Sequence, residues 1–369
     1  MPVAVRLCDN YESENVAKAL DKALLALGGI EKYIKPGMKV LIKPNLLMPA
    51  SPDKCTTTHP EITRAAIKAV KRAGAEPFLG ECPGGTMTPA YLKATYRACG
   101  LYKVAEEEGC RIRFDFDEIT LDKKDAVLEK RPKAASFLLE ADAVISLCKL
   151  KTHGYMAYTG AVKNMFGIVP GIIKAQYHLK YQDVSDFAEL LVDLYDVKKP
   201  VLGIMDAIYG MEGDGPSGGK PRKVGAVIVS DNCMELDYAA SSMIGLDPME
   251  VLTIKKGAQR GFFDPKNVIV DADWDTPICI KDFAKPSHMQ RSMFPLIGNT
   301  RIGRFIERKF LRSYPKFDPS ICVKCGICMN NCPPQALTMG EKAPKLDKNK
   351  CISCFCCHEL CPKEAITIK

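Results

Sequence analysis

The chain is expected to be an α/β protein with a mainly parallel sheet and flanking helices, followed by a small α+β unit at its C-terminus. Two patterns predict this. Up to about residue 245, short apolar runs alternate with segments of helical period, which is how a parallel sheet with crossover helices reads. Over residues 318–369 that alternation gives way to two cysteine runs of matched spacing. The 369 residues exceed a typical single domain, and 47% hydrophobic with 26% charged residues is an ordinary soluble composition.

Residues 3–7 read as a short strand and 15–27 as a helix ended by Gly28 and Gly29. A buried strand at 39–43 runs into Pro44 and Asn45. Thr56, Thr57, Thr58, His59, Pro60 and Glu61 open a helix reaching about Ala73, with proline in the first turn and an acid beside it. Strands follow at 76–81, 141–147, 201–205 and 224–229, with a helix over 186–195 and another, after Ser230 and Asp231, running through Ile244. Ligands of open α/β sheets bind beyond the carboxyl ends of the strands. Polar residues stand at those ends here: Lys43, Asn45, Glu81, Lys149 to His153, Asp206, Ser230 and Asp231.

Several of these segments carry a resemblance. Lys43-Pro44-Asn45, Thr58-His59-Pro60, Gly80-Glu81 with Pro83-Gly84-Gly85, Lys149-Leu150-Lys151-Thr152-His153, residues 162–167 and residues 211–216 together resemble the family called domain of unknown function 362. The resemblance spans about residues 38–245 and implies no reaction, although members often carry a ferredoxin-type tail.

Lys149, Lys151, His153 and Lys163 with Asn164 stand around a glycine-rich stretch, 160–171. Cations facing glycines, whose backbone N–H groups can approach closely, suit a small anionic ligand such as a phosphate or carboxylate. Most lysines are merely solvated, and that reading competes. Gly213 and Gly215, in an acidic loop with Glu212 and Asp214, are candidates for the same ligand; a plain turn is the alternative. The loop is not a P-loop, because Asp214 stands where glycine is required and Pro221 where serine or threonine is. No G-x-G-x-x-G follows a strand, so nicotinamide binding is unsupported. His59 is read as a helix-start residue rather than a base, and His178 is left between a pocket and a helix surface.

The tail carries the sharpest motif. Cys322, Cys325, Cys328 and Cys332-Pro333, then Cys351, Cys354, Cys357 and Cys361-Pro362, both fit C-x2-C-x2-C-x3-C-P, the run in which the fourth cysteine ligates the other of two 4Fe–4S clusters. The crossed sets are Cys322, Cys325, Cys328 with Cys361, and Cys351, Cys354, Cys357 with Cys332. The copies repeat at 29 residues beyond the ligands, Gln335-Ala-Leu-Thr-Met matching Glu364-Ala-Ile-Thr-Ile, as a pseudo-twofold unit would. Zinc is the rival for four-cysteine sites, but two complete runs favour clusters. Residues 318–369 closely resemble the dicluster bacterial ferredoxin module. One departure is that Phe355 and an additional Cys356 stand where the first copy has Gly326 and Ile327. Phe355 is expected over the cluster, and Cys356 as a spare thiol.

The organisation expected is an α/β domain over 1–285, a basic amphipathic linker over 286–317 with a helix at 301–312, and the cluster domain over 318–369. The linker helix either packs or docks on an acidic redox partner or membrane surface. Of 17 cysteines, nine lie between 322 and 361 and eight are scattered singly, which suits a reducing cytoplasm. The opening residues lack a charged-then-apolar leader, and no apolar run approaches 18 residues. Net charge +8, without interleaved aromatics, is short of a nucleic-acid footprint. The function expected is an iron–sulfur oxidoreductase or electron-transfer protein. Its large domain holds a small anionic ligand or substrate; a flavin is the candidate organic cofactor on chemical need alone, and a redox protein the expected partner. The alternative is a non-catalytic carrier or assembly factor.

Overall fold

The computed structural model describes residues 2–85, 87–114, 117–273, 279–287 and 312–369. In chain order the strands of the large domain are β1 (Val3–Leu7), β2 (Lys39–Pro44), β3 (Glu76–Leu79), β4 (Arg111–Ile112), β5 (Glu118–Thr120), β6 (Lys133–Ala135), β7 (Ala143–His153), β8 (Ala157–Thr159), β9 (Leu202–Glu212), β10 (Lys220–Ser230) and β11 (Val270–Ala272). Among the described residues, nine of these form one sheet in the order β11-β1-β10-β9-β7-β2-β3-β4, with β8 on β7. β5 and β6 form a separate ribbon. β2, β3, β7 and β9 run parallel, while β10 and β8 run against their neighbours.

Strand parity divides the core into two layers. Val40, Ile42, Ile145, Leu147 and Ile204 face the helices Ser13–Ala26 and Pro60–Arg72. Leu41, Val144, Cys148 and Met205 face the helices Val184–Val197 and Cys233–Met243. Helix Ser13–Ala26 buries Val16, Ala19, Leu20, Ala23 and Leu24, the three-and-four spacing of one helix face. At helix Pro60–Arg72, His59 is the N-cap, its Nδ1 accepting from the Glu61 amide at 3.2 Å.

Two expectations are corrected. The strand expected at 141–147 runs on to His153, so Lys149, Lys151 and His153 are strand residues. β9 also extends, to Glu212, and pairs Lys149 with Asp206 and Lys151 with Met211 across a bulge. Ser230 and Asp231 are not with the other polar strand ends. β10 is antiparallel, so Ser230 pairs with Gly203 at the start of β9, and Asp231 accepts from the Tyr33 hydroxyl.

In the tail, strand Pro315–Phe317 pairs with Ile366–Ile368 and Leu337–Met339 with Pro344–Leu346, around one-turn helices Ile327–Asn330 and Cys356–Glu359. Pro315–Phe317, within the stretch expected as linker, is thus a strand of the cluster domain. The 29-residue repeat extends to backbone angles. Lys324 and Ser353, Gly326 and Phe355, Gln335 and Glu364 all have positive φ. Phe355 adopts φ +62°, a costly angle for an aromatic residue, where its counterpart is a glycine at +78°. Of the linker helix expected at 301–312, all but Arg312 lies outside the described residues. Among those described, no helix is long and apolar enough to cross a membrane.

The turn that carries Lys163 and Asn164 hangs on buried Asp237, whose carboxylate accepts from the Ala161 and Val162 amides at 2.7 and 3.0 Å. Asp237→Ala leaves both amides unpaired and is expected to cost about 2–4 kcal/mol, measurable as a lowered Tm of the cluster-loaded protein under anaerobic conditions.

Candidate functional site at the domain junction

Lys43 begins the site. It lies on β2 on the same face as Leu41, fully buried, with its ammonium paired to Glu81 at the end of β3 and 3.1 Å from Asn164 Oδ1. Asn164 is fully engaged, its Nδ2 donating to Lys43 O and Ser146 Oγ, both at 3.1 Å. A Cβ at Gly167 would strike the Glu81 carboxylate and the Lys43 ammonium, so only glycine lets the turn close over this pair.

Beyond the pair lies a cavity of about 100 Å³. Its large-domain wall includes Lys163, Asn164, Lys174, His153, His178 and Asn45; its other wall is Asn331, Cys356, Glu359 and Leu360 of the tail. The tail is seated there by several contacts. Ser217 Oγ donates to Glu359 O at 2.8 Å, Lys54 pairs with Glu364 at 2.7 Å, and the Tyr155 and Phe355 rings meet edge to face. A Cβ at Gly84 would lie 2.5 Å from Leu360, so glycine again permits the approach.

The groups facing this cavity are poorly compensated. Lys163 has no hydrogen bond or ion pair among the described residues, and burial lowers its pKa, with Glu359 opposing. Lys174 donates to Cys82 O and is likewise lowered by burial, with Glu81 opposing. Burial raises Glu359, against Lys163, Lys151 and Lys174. His153 is held neutral, its pKa far below the usual imidazole value through burial and then Lys163 and Lys151. Its Nδ1 accepts from the Tyr155 and Met156 amides at 3.1 and 3.3 Å, which assigns the proton to Nε2. That Nε2 lies 3.4 Å from Glu359 Oε1 without making a hydrogen bond. His178, stacked on Phe187 at 4.3 Å, is pushed down to about 3 by burial and then by Lys163 and Lys174, and its Nδ1 is unpartnered. Asn45 Oδ1 is unpartnered too.

Not every candidate converges here. Lys149 shares a sheet face with Ile145 and Leu147, and its ammonium is 2.9 Å from both Asp206 and the Tyr11 hydroxyl. Tyr11 stacks on His59 at 3.5 Å, so His59 belongs to this satisfied network. Lys151 donates to Thr56 O at 2.7 Å and lies between the two groups; burial, then Lys163 and Lys149, bring it down to about 7. Gly213 and Gly215 do not line the cavity. They shape the β9–β10 hairpin, where Thr152 Oγ1 donates to Gly213 O and Gly154 N to Gly215 O. Glu212 and Asp214 accept from the Ala284 and Ser287 amides. Glu359 and Lys174 were not singled out from sequence. A lone acid inside a thiol motif was the available signal for the first.

The tail cysteines surround two further cavities. Cys322, Cys325, Cys328 and Cys361 line one; Cys332, Cys351, Cys354 and Cys357 line the other. These are the two crossed sets. The Ala336 and Ala365 amides donate to Cys332 and Cys361 Sγ at 3.3 Å, and the Ser353 amide to Cys351 Sγ at 3.4 Å, contacts that favour thiolate sulfur. Among the described residues no three His, Cys, Asp or Glu side chains converge as they would on a single ion. The two four-cysteine linings fit two clusters, and Cys356 lines the lysine cavity instead. Cys361→Ser should alter the same electron paramagnetic resonance signal as Cys322→Ser, and Cys332→Ser the same signal as Cys351→Ser; the opposite grouping would contradict the crossed sets.

Residues 40–242 match the family described as Domain of unknown function (DUF362), and residues 314–362 match a 4Fe-4S dicluster domain, which supports iron–sulfur clusters and an electron-transfer role. A thylakoid-associated protein of Synechocystis sp. is 32% identical over 315 residues, covering 79% of this chain and 93% of its own. The solved structure of the lactate racemase apoprotein from Thermoanaerobacterium thermosaccharolyticum aligns over 62% of this chain and 54% of its own, at 14% identity and TM-score 0.39, too distant to bear on chemistry. By its matched core and its cyanobacterial relative, the chain belongs to the DUF362 family, here joined to a dicluster ferredoxin-type tail.

Proposed function

We propose that this chain is a cytoplasmic iron–sulfur oxidoreductase in which electrons pass through the two clusters to a small oxyanion-bearing substrate in the junction cavity. One observation carries this. An ammonium and two imidazole nitrogens, all unpartnered among the described residues, share a cavity with the segment Cys356–Leu360, which starts two residues after cluster ligand Cys354. The seven buried, unpaired thiols of the large domain suit a reducing compartment.

Bound clusters supply single electrons. The chain's own groups do the rest. Lys163 and Lys174 neutralise the anion, and the neutral His153 donates a hydrogen bond from Nε2–H to charge as it develops. Phe166, Phe187 and Tyr155 keep water from that wall, which strengthens each charge interaction. A volume near 100 Å³ suits a compact carboxylate or phosphate better than the ring system of a flavin. The second reading, a carrier or assembly factor for a larger redox complex, draws on the thylakoid association of the relative. It expects reducible clusters and no anion affinity.

Titration calorimetry with inorganic phosphate and short carboxylates on the cluster-loaded protein tests this. Lys163→Met should weaken binding at least tenfold with iron content unchanged, and equal affinity in the variant would favour the carrier reading. Binding should also depend on pH. Lys151 is a cation only below its lowered pKa of about 7, so anion affinity is highest at acid pH and falls as pH rises through 7. In Lys151→Met that step should vanish.

A further inference from the structure

We infer that the electrons arrive from a small acidic one-electron carrier protein, which docks on the lysine-rimmed face around Cys322 and Cys325. This rests on the electron path proposed above and adds its external partner.

The internal repeat makes the case. The two copies present equivalent loops to very different surroundings. In the second copy Ile352, Ser353 and Cys354 are 7%, 1% and 9% exposed, because that loop is packed into the protein. Their counterparts 29 residues earlier are Val323, Lys324 and Cys325, and all three are exposed, Val323 at 57%. Ile321 and Met339 beside them are 45% and 40% exposed. One copy's loop is thus covered by its own chain while the other's stands open, with apolar side chains directly over the cysteine cavity that Val323 and Met339 line.

Charge decides what fits there. An open groove of about 530 Å³ shares Phe317 and Pro344 with that cavity's wall and is lined by Lys316, Lys342 and Lys345 against one carboxylate, Glu341. Lys324 and Lys363 stand among the cysteines themselves. An apolar centre with a cationic rim is the complement of an acidic protein surface, and rim charges act mainly by steering encounter. In the step itself the carrier loses one electron and the cluster held by Cys322, Cys325, Cys328 and Cys361 gains it; no bond or proton moves. The second cluster, walled by Phe355 and next to the cavity, is then the exit.

The test uses the cluster-loaded protein and a plant-type 2Fe–2S ferredoxin as acidic probe. Calorimetry with the oxidised ferredoxin should show binding that weakens steeply with salt. The variant Lys316→Glu/Lys342→Glu/Lys345→Glu should bind at least tenfold more weakly and accept electrons from reduced ferredoxin correspondingly more slowly. Reduction by dithionite and phosphate binding should be unchanged, so loss of phosphate binding alone would count against the cavity and not this face. Reversing Lys18 and Lys22, on helix Ser13–Ala26, should have no effect. Wild-type affinity in the triple variant overturns the inference. So would an equal loss on reversing Lys18 and Lys22, or lysine-dependent binding to anionic phospholipid vesicles with no response to the ferredoxin.

Discussion

A half-buried ammonium between two protein modules, with no hydrogen-bond acceptor or paired acid among the described residues, is a costly arrangement, and that of Lys163 governs the rest of this structure. Charge of this kind is retained only where something offsets it. Glu359 faces it from the tail but makes no ion pair with it among the described residues, and is itself disfavoured as an anion by burial. The surrounding parts hold the lysine in place. Asp237 ties down the turn before it, Gly167 lets the turn close over Lys43 and Glu81, and Asn164 bonds back to β2 and β7. The anion proposed for this cavity would complete the charge balance that these residues leave open.

The tail makes the cavity matter. Its two halves share spacing, strands and even positive φ angles, yet the cysteine loop of the second is packed into the protein and that of the first stands open. A symmetric unit docked by one half becomes directional, with one cluster near solvent and the other beside a cationic cavity. Phe355, at a costly backbone angle where the repeat has glycine, contributes to that docked face through its contact with Tyr155.

Much of this was legible in the residues. Both cysteine sets follow from spacing, since C-x2-C-x2-C-x3-C-P is a local constraint that needs no tertiary knowledge. The parallel sheet follows from alternating strands and helices. What the sequence hides is set by contacts between distant residues. Lys149 and Lys163 look alike as lysines near glycines, but Lys149 lies on the opposite face of β7 from Ser146 and meets Asp206, 57 residues away. Gly213 and Gly215 resemble a ligand loop because hairpins and anion-binding loops use glycine for the same positive φ or close approach. Spacing sets Cys356 outside the matched cysteine runs; that it faces the lysines depends on how the tail docks.

The most direct test of the central claim places a nuclear spin in the cavity. With inorganic phosphate bound to the reduced, cluster-loaded protein, pulsed paramagnetic resonance should show phosphorus hyperfine coupling to the cluster ligated by Cys332, Cys351, Cys354 and Cys357, and the coupling should disappear in Lys163→Met. Coupling that is absent, unaffected by that substitution, or seen at the other cluster would contradict an anion site between the two domains.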